Sequence, residues 1–284
     1  MDFPDLPRGE QDGLPIPEVG SWAREKYLRV WMYDQMFATG MKNEWDELVY
    51  LDLFSGPGYS RIRGTNDILQ ASPLLALQIP DRFHRYIYCD REPSNLDALR
   101  QRVDRHAPGV TAHYVPGDID ETIGQVVKLI PRGSSSHRVL SFCFVDPYSV
   151  NLRFNTIRRL AERYVDFLIL LALGMDANLN LPVYIEDQHT RIEEFLDNPN
   201  WRSEWRTEED QGARFIPFMA QQYARAMTRL GYLETPLRRM YPVRSDQKNL
   251  RLYYLAFFSR NRRGYDFWGE VLKYSDPQLQ LGLG

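Results

Sequence analysis

The sequence predicts an α/β fold built around a parallel sheet with helices on both faces. Strand-like and helix-like segments alternate from residue 48 onward, which is typical of parallel strands joined by right-handed crossovers. The runs at 139–145 and 165–172 are apolar on both faces, as strands covered from both sides must be. A glycine-rich turn follows the first strand, in VYLDLFSGPGYS (49–60).

The alternating segments are predicted in pairs, each strand followed by a helix. In chain order they are LVYLDLF (48–54) and SPLLALQI (72–79), RYIYCD (85–90) and PSNLDALRQRV (93–103), TAHYV (111–115) and ETIGQVVKLI (121–130), VLSFCFVD (139–146) and FNTIRRLAERY (154–164), and the fifth strand VDFLILLAL (165–173). Pro73 and Pro93 fall near helix starts, where a missing backbone N–H costs little.

Further elements are predicted on either side of this series. Residues 21–40 carry apolar side chains at helical spacing, and Gly40 is predicted to end that helix. Residues 1–20, rich in proline and glycine, predict a flexible or draped arm. The later predictions are a helix within 213–232 ended by Gly231, strands around 237–243 and 250–259, and a short helix at 265–273.

The pattern indicates one domain over 21–275, between the arm at 1–20 and a tail at 276–284. A polar segment at 175–211 is predicted to be an insertion beside the fourth and fifth strand ends, closing over a substrate, with Trp201 and Trp205 packed as a small core. The chain lacks a signal segment and a membrane-length apolar run, so a cytoplasmic location is predicted. Cys89 and Cys143 lie in apolar strands and predict no metal or disulfide.

The glycine turn predicts a nucleotide-like ligand, because glycines let the backbone approach a ligand beyond the strand ends. A dinucleotide-binding G-x-G-x-x-G is excluded because Arg61 stands at the third glycine position, and no phosphate-binding P-loop is present. Asp52, Gly56 and Gly58 instead form D-x-x-x-G-x-G. This pattern resembles the first motif of class I S-adenosylmethionine (SAM)-dependent methyltransferases, although a turn without a ligand is the alternative.

Three more strands run into acidic residues. Asp90 ends its strand where a carboxylate, with two acceptor oxygens, can bind both hydroxyls of a ribose. Asp118 follows the third strand, where it can accept a hydrogen bond from an adenine amino group, and Asp146 ends the fourth. The alternative for each acid is a helix cap.

Asp146, Pro147 and Tyr148 resemble the fourth motif of amino-group methyltransferases, in which an acidic or amide oxygen holds the acceptor and an aromatic ring stacks on it. This chain has one proline where that motif has two. On this interpretation Asp146 and Tyr148 are catalytic, and the substrate contacts are Pro147, Tyr148, Asn178 and Asn180.

Several longer stretches are similar to the three-Cys-motif partner proteins, a bacterial and phage family with a class I methyltransferase fold. The stretches are REKYLRVWMYDQMF, YLDLFSGPGYS, QASPLLAL, GDIDE, CFVDPYSVNLRFNTIRRLA and LYYLAFFSRNRRGYDFWGEVLK. The resemblance implies a Rossmann-like, mostly parallel seven-stranded sheet with an antiparallel last strand. It also implies a SAM site containing Asp52, Phe54, Gly56, Gly58, Asp90, Arg91, Asp118, Ile119 and Asp146.

Three functions follow as hypotheses. The first is SAM-dependent methylation of an amine or hydroxyl of a nucleic acid or nucleotide, with arginines in RRM (238–240) and SRNRRGY (259–265) as phosphate contacts. The second is methylation of a small molecule or peptide, which the net charge of −3 favours. The third is a non-catalytic subunit that binds a three-Cys-motif partner protein. The sequence does not predict an oligomeric state.

Overall fold

Strands and helices alternate through the structure, a computed structural model that describes residues 5–147, 149–150, 152–173, 185, 190–244 and 251–275. Its strands are β1 (Glu18–Val19), β2 (Glu47–Asp52), β3 (Tyr59–Ile62), β4 (Ile68–Gln70), β5 (Arg85–Asp90), β6 (Ala112–Pro116), β7 (Val139–Val145), β8 (Val165–Leu171), β9 (Tyr241–Arg244) and β10 (Arg251–Phe258). Its helices are α1 (Ala23–Met41), α2 (Ser72–Leu75), α3 (Pro93–His106), α4 (Ile119–Leu129), α5 (Phe154–Leu160), α6 (Arg191–Leu196), α7 (Trp201–Glu209), α8 (Phe215–Arg229) and α9 (Arg262–Ser275), with a 3₁₀ turn at Leu237–Arg239.

Seven of the described strands form one sheet in the order β6-β5-β2-β7-β8-β10-β9. Neighbours from β6 to β8 pair in parallel, whereas β10 pairs antiparallel with both β8 and β9. The reversed strand therefore lies beside the fifth strand of the alternating series. This arrangement confirms the predicted Rossmann-like class I methyltransferase fold.

Helices cover both faces of this sheet. One apolar core lies between the sheet and α4, α5 and α8, and the other lies between the sheet and α1, α3 and α9. The α6 and α7 helices of the predicted insertion join the first core. Trp201 and Trp205 are buried there and pack against Phe215. Both tryptophans are thus core residues, as predicted, but they belong to the main core.

Helix α1 runs through Gly40, so the prediction that this glycine ends the helix is wrong. Gly40 serves helix packing instead, because a Cβ at this position would overlap the ring of Phe267 on α9. The residue before the helix, Trp22, makes no capping side-chain hydrogen bond. The helix is therefore held by its buried face.

A second, three-stranded sheet has the order β1-β3-β4. The glycine turn leads into the β3–β4 hairpin, which the sequence did not reveal, before α2 begins at Ser72. Helix α2 ends at Leu75, earlier than predicted. Beyond it Leu77 and Gln78 bond to carbonyls three residues back, which is a turn pattern.

Residues 5–20 of the predicted arm lie across this small sheet. Strand β1 pairs in parallel with β3, and the Gly9 N–H donates to the Ile68 carbonyl at 2.9 Å. Asp12 forms two hydrogen bonds, of 2.6 and 2.9 Å, with the buried guanidinium of Arg102 on α3. These contacts fasten the described part of the arm to the domain. The domain boundaries themselves stay predictions.

Within the described ranges, no helix combines the length and apolar character needed to cross a membrane. Cys89 and Cys143 are both buried, as predicted, and both thiols are free. Burial raises the pKa of each thiol above its ordinary value. These properties are typical of small core residues.

Candidate functional site

The glycine turn lies at the carboxyl end of β2, where the winding of the sheet reverses between β5 and β7. Gly56 has a φ of 59° and Gly58 a φ of 91°, a backbone region that favours glycine. A Cβ on Gly56 would meet nothing within 4 Å, whereas one on Gly58 would come within 2.9 Å of Leu99 and 3.0 Å of Leu74. Gly56 thus leaves open space, and Gly58 permits packing.

Asp90 supports this turn from the neighbouring strand. Its Oδ2 accepts a hydrogen bond from the Gly56 N–H at 2.9 Å. Its Oδ1 accepts from the Glu92 N–H at 2.8 Å and from the Asn95 side chain at 3.0 Å. A carboxylate has about four acceptor positions. Asp90 therefore uses three of these positions within the protein, one on the glycine turn and two at the start of α3, and its predicted role on the ribose stays a prediction.

The residues predicted to frame the adenine lie at the adjacent strand end. Asp118 is the N-cap of α4 and accepts from the Asp120 N–H at 2.9 Å, so the helix-cap alternative holds for this acid. Ile119 is buried in the core, and Arg91 is exposed. A ligand at this edge would therefore lie against Asp118 and Arg91 on an open surface.

Asp52, at the end of β2, is completely buried beneath the turn. Its carboxylate accepts from Ser72 Oγ at 2.6 Å and from the Phe54 N–H at 3.2 Å. Burial is the main influence that raises the pKa of Asp52 to about 7, and the charge of Asp146 acts in the same direction. Asp52 thus holds the start of the turn in place through its hydrogen bond with the Phe54 N–H.

The structure adds Lys26, which the sequence reading did not select. Its Nζ donates to Asp146 Oδ2 at 2.5 Å, and its side chain is 4% exposed. The ammonium lies 5.2 Å from the ring centre of Trp22 and 4.9 Å from that of Tyr27, within range for cation–π attraction. Asp146 is thus an ion-pair partner, and the N-cap position of α5 belongs to Arg153.

Lys26 stays protonated although its side chain is buried. Burial is the largest single influence on Lys26 and favours the neutral amine. Electrostatic attraction by Asp146 and Tyr27 and the hydrogen bond that Lys26 donates to Asp146 together outweigh burial, so the pKa of Lys26 lies above its ordinary value. Lys26 is therefore an ammonium at neutral pH.

A cavity of about 60 Å³ joins the glycine turn to this ion pair. It lies at the switch point of the sheet, and the N-terminal segment forms part of its wall. The lining includes Pro17, Trp22, Lys26, Phe54, Gly56, Asp146 and Pro147. The structure therefore brings together Phe54, Gly56, Asp146 and Pro147 of the predicted site, whereas Asp52 lies below the cavity.

Tyr148, Asn178 and Asn180 lie outside the described residues. Their predicted catalytic and substrate roles stay predictions.

The two arginine clusters lie at the opposite edge of the sheet. Strand β10 runs antiparallel to β8, and its last residue, Phe258, pairs with Phe167 near the start of β8. The segment 259–265 therefore follows at the amino-terminal edge of the parallel strands. Arg260 is bound there to the carbonyls of Ala161 and Arg163. These arginines do not face the cavity.

No family model and no curated protein matches the chain. Among solved structures, a Legionella pneumophila protein has 12% identity and a TM-score of 0.41, covering 56% of this chain and 73% of its own. The O-methyltransferase TomG of Streptomyces achromogenes, in complex with SAM, has 11% identity and a TM-score of 0.39, covering 79% and 77%. A precorrin-6y C5,15-methyltransferase of Geobacter metallireducens has 11% identity and a TM-score of 0.37, covering 83% and 85%. Likeness at this level does not identify an activity, so the site residues carry the functional argument.

Proposed function

We propose that this chain is a SAM-dependent methyltransferase. The observation that carries the proposal is the cavity at the switch point, which joins the glycine turn to Asp146 at the end of β7. In folds of this type ligands bind beyond the carboxyl ends of the strands at that point. A methyltransferase has to align the acceptor with the methyl group, since the cofactor supplies the reactive sulfonium.

The residues of the site fit SAM in their chemistry. The space in front of Gly56 is open, and Asp90 and Asp118 place two carboxylates on the neighbouring strand ends. The cavity, of about 60 Å³, is smaller than the roughly 300–1,000 Å³ typical of ligand sites. We therefore assign the cavity, with Phe54 and Gly56, to the methionine end and the reacting group. The adenosine would lie outside on the open strand edge, at Asp90, Arg91 and Asp118, next to the buried Ile119.

The acceptor belongs to the same proposal. We favour a small molecule or peptide over a nucleic acid, because the arginine clusters that supported a nucleic acid lie at the far edge of the sheet. A nucleic-acid acceptor predicts binding that weakens steeply with salt. Salt-independent behaviour would support the smaller acceptor.

Membership of the three-Cys-motif partner family is also proposed, on the motifs alone. A non-catalytic partner subunit is the second candidate function. One observation favours it: Asp146 is already paired with Lys26 in a cavity of only about 60 Å³. Co-purification with a three-Cys-motif protein, together with absence of SAM binding by the isolated chain, would favour this candidate.

Calorimetric titration with SAM and with S-adenosylhomocysteine tests the cofactor assignment. We expect micromolar binding by the native chain and at least tenfold weaker binding by Gly56→Ala and Asp90→Ala. Glu92→Ala is the matched control, because Glu92 is an exposed acid two residues after Asp90 and its side chain makes no capping hydrogen bond. Absence of binding by the folded native chain, or equal losses in the control, would contradict the proposal. Thermal melts confirm that each variant is folded.

A further inference from the structure

The Lys26–Asp146 pair also bears on the acceptor, given the proposed methyltransferase function. We infer that the methyl acceptor is an acidic hydroxyl of a flat molecule, such as a phenol, bound as its oxyanion beside Lys26 Nζ. This assignment departs from the amine that the Asp146-Pro147-Tyr148 motif suggests. It rests on what surrounds the acceptor position in the cavity.

Lys26 has hydrogen-bond donors to offer an acceptor in the cavity. Lys26 Nζ lines the cavity and makes one recorded hydrogen bond among the described residues, to Asp146. An ammonium has three N–H donors and no acceptor. An oxygen entering the cavity can accept from this group, whereas an amine nitrogen, which must keep its lone pair for the methyl group, gains nothing from it.

The charge of Lys26 also distinguishes an amine from an oxyanion. An aliphatic amine enters as a cation at neutral pH, and the Lys26 ammonium would repel it. Asp146, which would hold such an amine, is already paired with Lys26. An oxyanion is attracted by Lys26 instead, because an opposite charge within about 4–6 Å favours the ionised form of an acid. The repulsion from Asp146 is reduced because that carboxylate is already compensated by its own hydrogen bond from Lys26.

Part of the cavity wall is aromatic. Aromatic side chains of Trp22, Tyr27, Phe54 and Tyr253 line the cavity, and aromatic faces suit a flat ring. The ionisable groups around Lys26 are Asp146 at the end of β7, Tyr27 on α1, Tyr253 on β10 and, farther below, Asp52. Burial, the largest influence, raises the pKa of Tyr253 to about 12. Tyr253 therefore stays neutral and does not compete as an anion.

The reaction balances without a further reagent. The hydroxyl loses its proton to solvent on binding, and the oxyanion is held by Lys26. An oxygen lone pair forms the bond to the methyl carbon of SAM, while the carbon–sulfur bond breaks and its electron pair stays on sulfur. The products are a methyl ether and S-adenosylhomocysteine, and the charges of oxyanion and sulfonium are both cancelled.

The test uses 4-nitrophenol as the probe, because its anion has a visible absorption band. The chain is saturated with S-adenosylhomocysteine and titrated with the probe below the pH at which the probe ionises in water. We expect the anion-to-neutral ratio of the probe to rise about tenfold or more with the native chain, as a nearby cation lowers an acid's pKa by about one to three units. Neutral 4-nitroaniline, matched in shape, should bind more weakly.

Two variants locate the effect. Lys26→Met/Asp146→Asn removes both charges together, so that neither is left buried alone, and should abolish the rise; Lys26→Arg should retain part of it. Lys42→Met, just past the end of α1, is the control for a cation on the surface. A native chain that leaves the probe spectrum unchanged, or a double variant that still raises the anion fraction, would overturn the inference. The proposed function fails separately, by absence of SAM binding.

Discussion

Arg102 Nη1 donates a hydrogen bond of 2.7 Å to the carbonyl of Pro57, the middle residue of the glycine turn. The same nitrogen donates to the carbonyl of Pro15 at 3.0 Å, and the guanidinium is paired with Asp12. The side chain is completely buried and lies 4.2 Å from the ring centre of Tyr59. One cation on α3 thus joins the N-terminal segment to the turn proposed to hold the cofactor.

Arg102→Met should lower the free energy of unfolding by about 3–5 kcal/mol, because Asp12 is left as a buried charge without its main partner. Urea denaturation at pH 7 measures this loss. Arg105→Met is the matched control. Arg105 also contacts Asp12 but is 45% exposed, and its loss should cost at most about 1 kcal/mol. Equal effects of the two substitutions would refute a special role for Arg102.

Asp34→Ala should stabilise the protein. Asp34 lies on α1, completely buried, and neither carboxylate oxygen has a hydrogen-bond partner among the described residues. Burial, and then the charge of Asp52, raises the pKa of Asp34 far above its ordinary value. Removing unpaired buried polar atoms and introducing alanine into a helix should together add about 1–2 kcal/mol to the free energy of unfolding.

The control for this change is Asp34→Asn, which keeps two buried polar atoms in the same place and should leave stability nearly unchanged. Both variants are compared by thermal melts at pH 7. A lower melting temperature for Asp34→Ala would show that the acid contributes to the fold through a contact beyond those among the described residues.

The pH dependence of stability should report Asp52. Its pKa rises from 3.8 when unfolded to about 7 when folded, so the native state binds the extra proton between these values. This group's contribution to stability is therefore complete below about pH 4, decreases as the pH rises, and is lost above about pH 7. The decrease amounts to about 4 kcal/mol.

Asp52→Asn should flatten the curve of unfolding free energy against pH between about 4 and 7. Chemical denaturation at several pH values gives both curves. Burial also raises the pKa of Asp166 to about 7. Asp166 therefore adds a slope of the same sign to the curves of both proteins and does not affect the difference between the two curves. Parallel curves for the native chain and the variant would contradict the assignment.

The contact between Gly40 and Phe267 can be measured by a double-mutant cycle. Gly40→Ala should destabilise the native chain by about 1–3 kcal/mol, because the new Cβ overlaps the Phe267 ring. In a Phe267→Ala background the same change should stabilise by about 1 kcal/mol, the usual gain of alanine over glycine in a helix. A Gly40→Ala effect that is the same in both backgrounds would show that the helices do not meet at this residue.

Much of the fold could be predicted from the sequence because its parallel strands are buried on both faces. Strand β5 has the predicted bounds, and β7 and β8 differ from prediction only at their ends. The β3–β4 hairpin was missed because its residues include polar side chains and no clear alternation. Its strands are specified by pairing with each other and with β1, which are contacts that no local pattern records.

The acidic residues of the candidate site could be predicted from the sequence, whereas its cation, Lys26, could not. Asp146 follows an apolar strand, which marks it in the sequence, whereas Lys26 lies among the residues of an amphipathic helix and looks like a surface lysine. Its apolar neighbours Trp22 and Tyr27, placed to enclose it, were the available signal. The buried Asp12 was missed for a similar reason, because its partner Arg102 is far away in the chain.

The position of β10 has a consequence for synthesis of the chain. Strand β9 leaves the ribosome before β10 but is joined to the main sheet through it. The sheet therefore cannot be completed until Phe258 has emerged, and β9 stays unpaired until β10 is available. Newly made chains would expose the open edge of β8 during that interval, when aggregation and chaperone binding compete with folding.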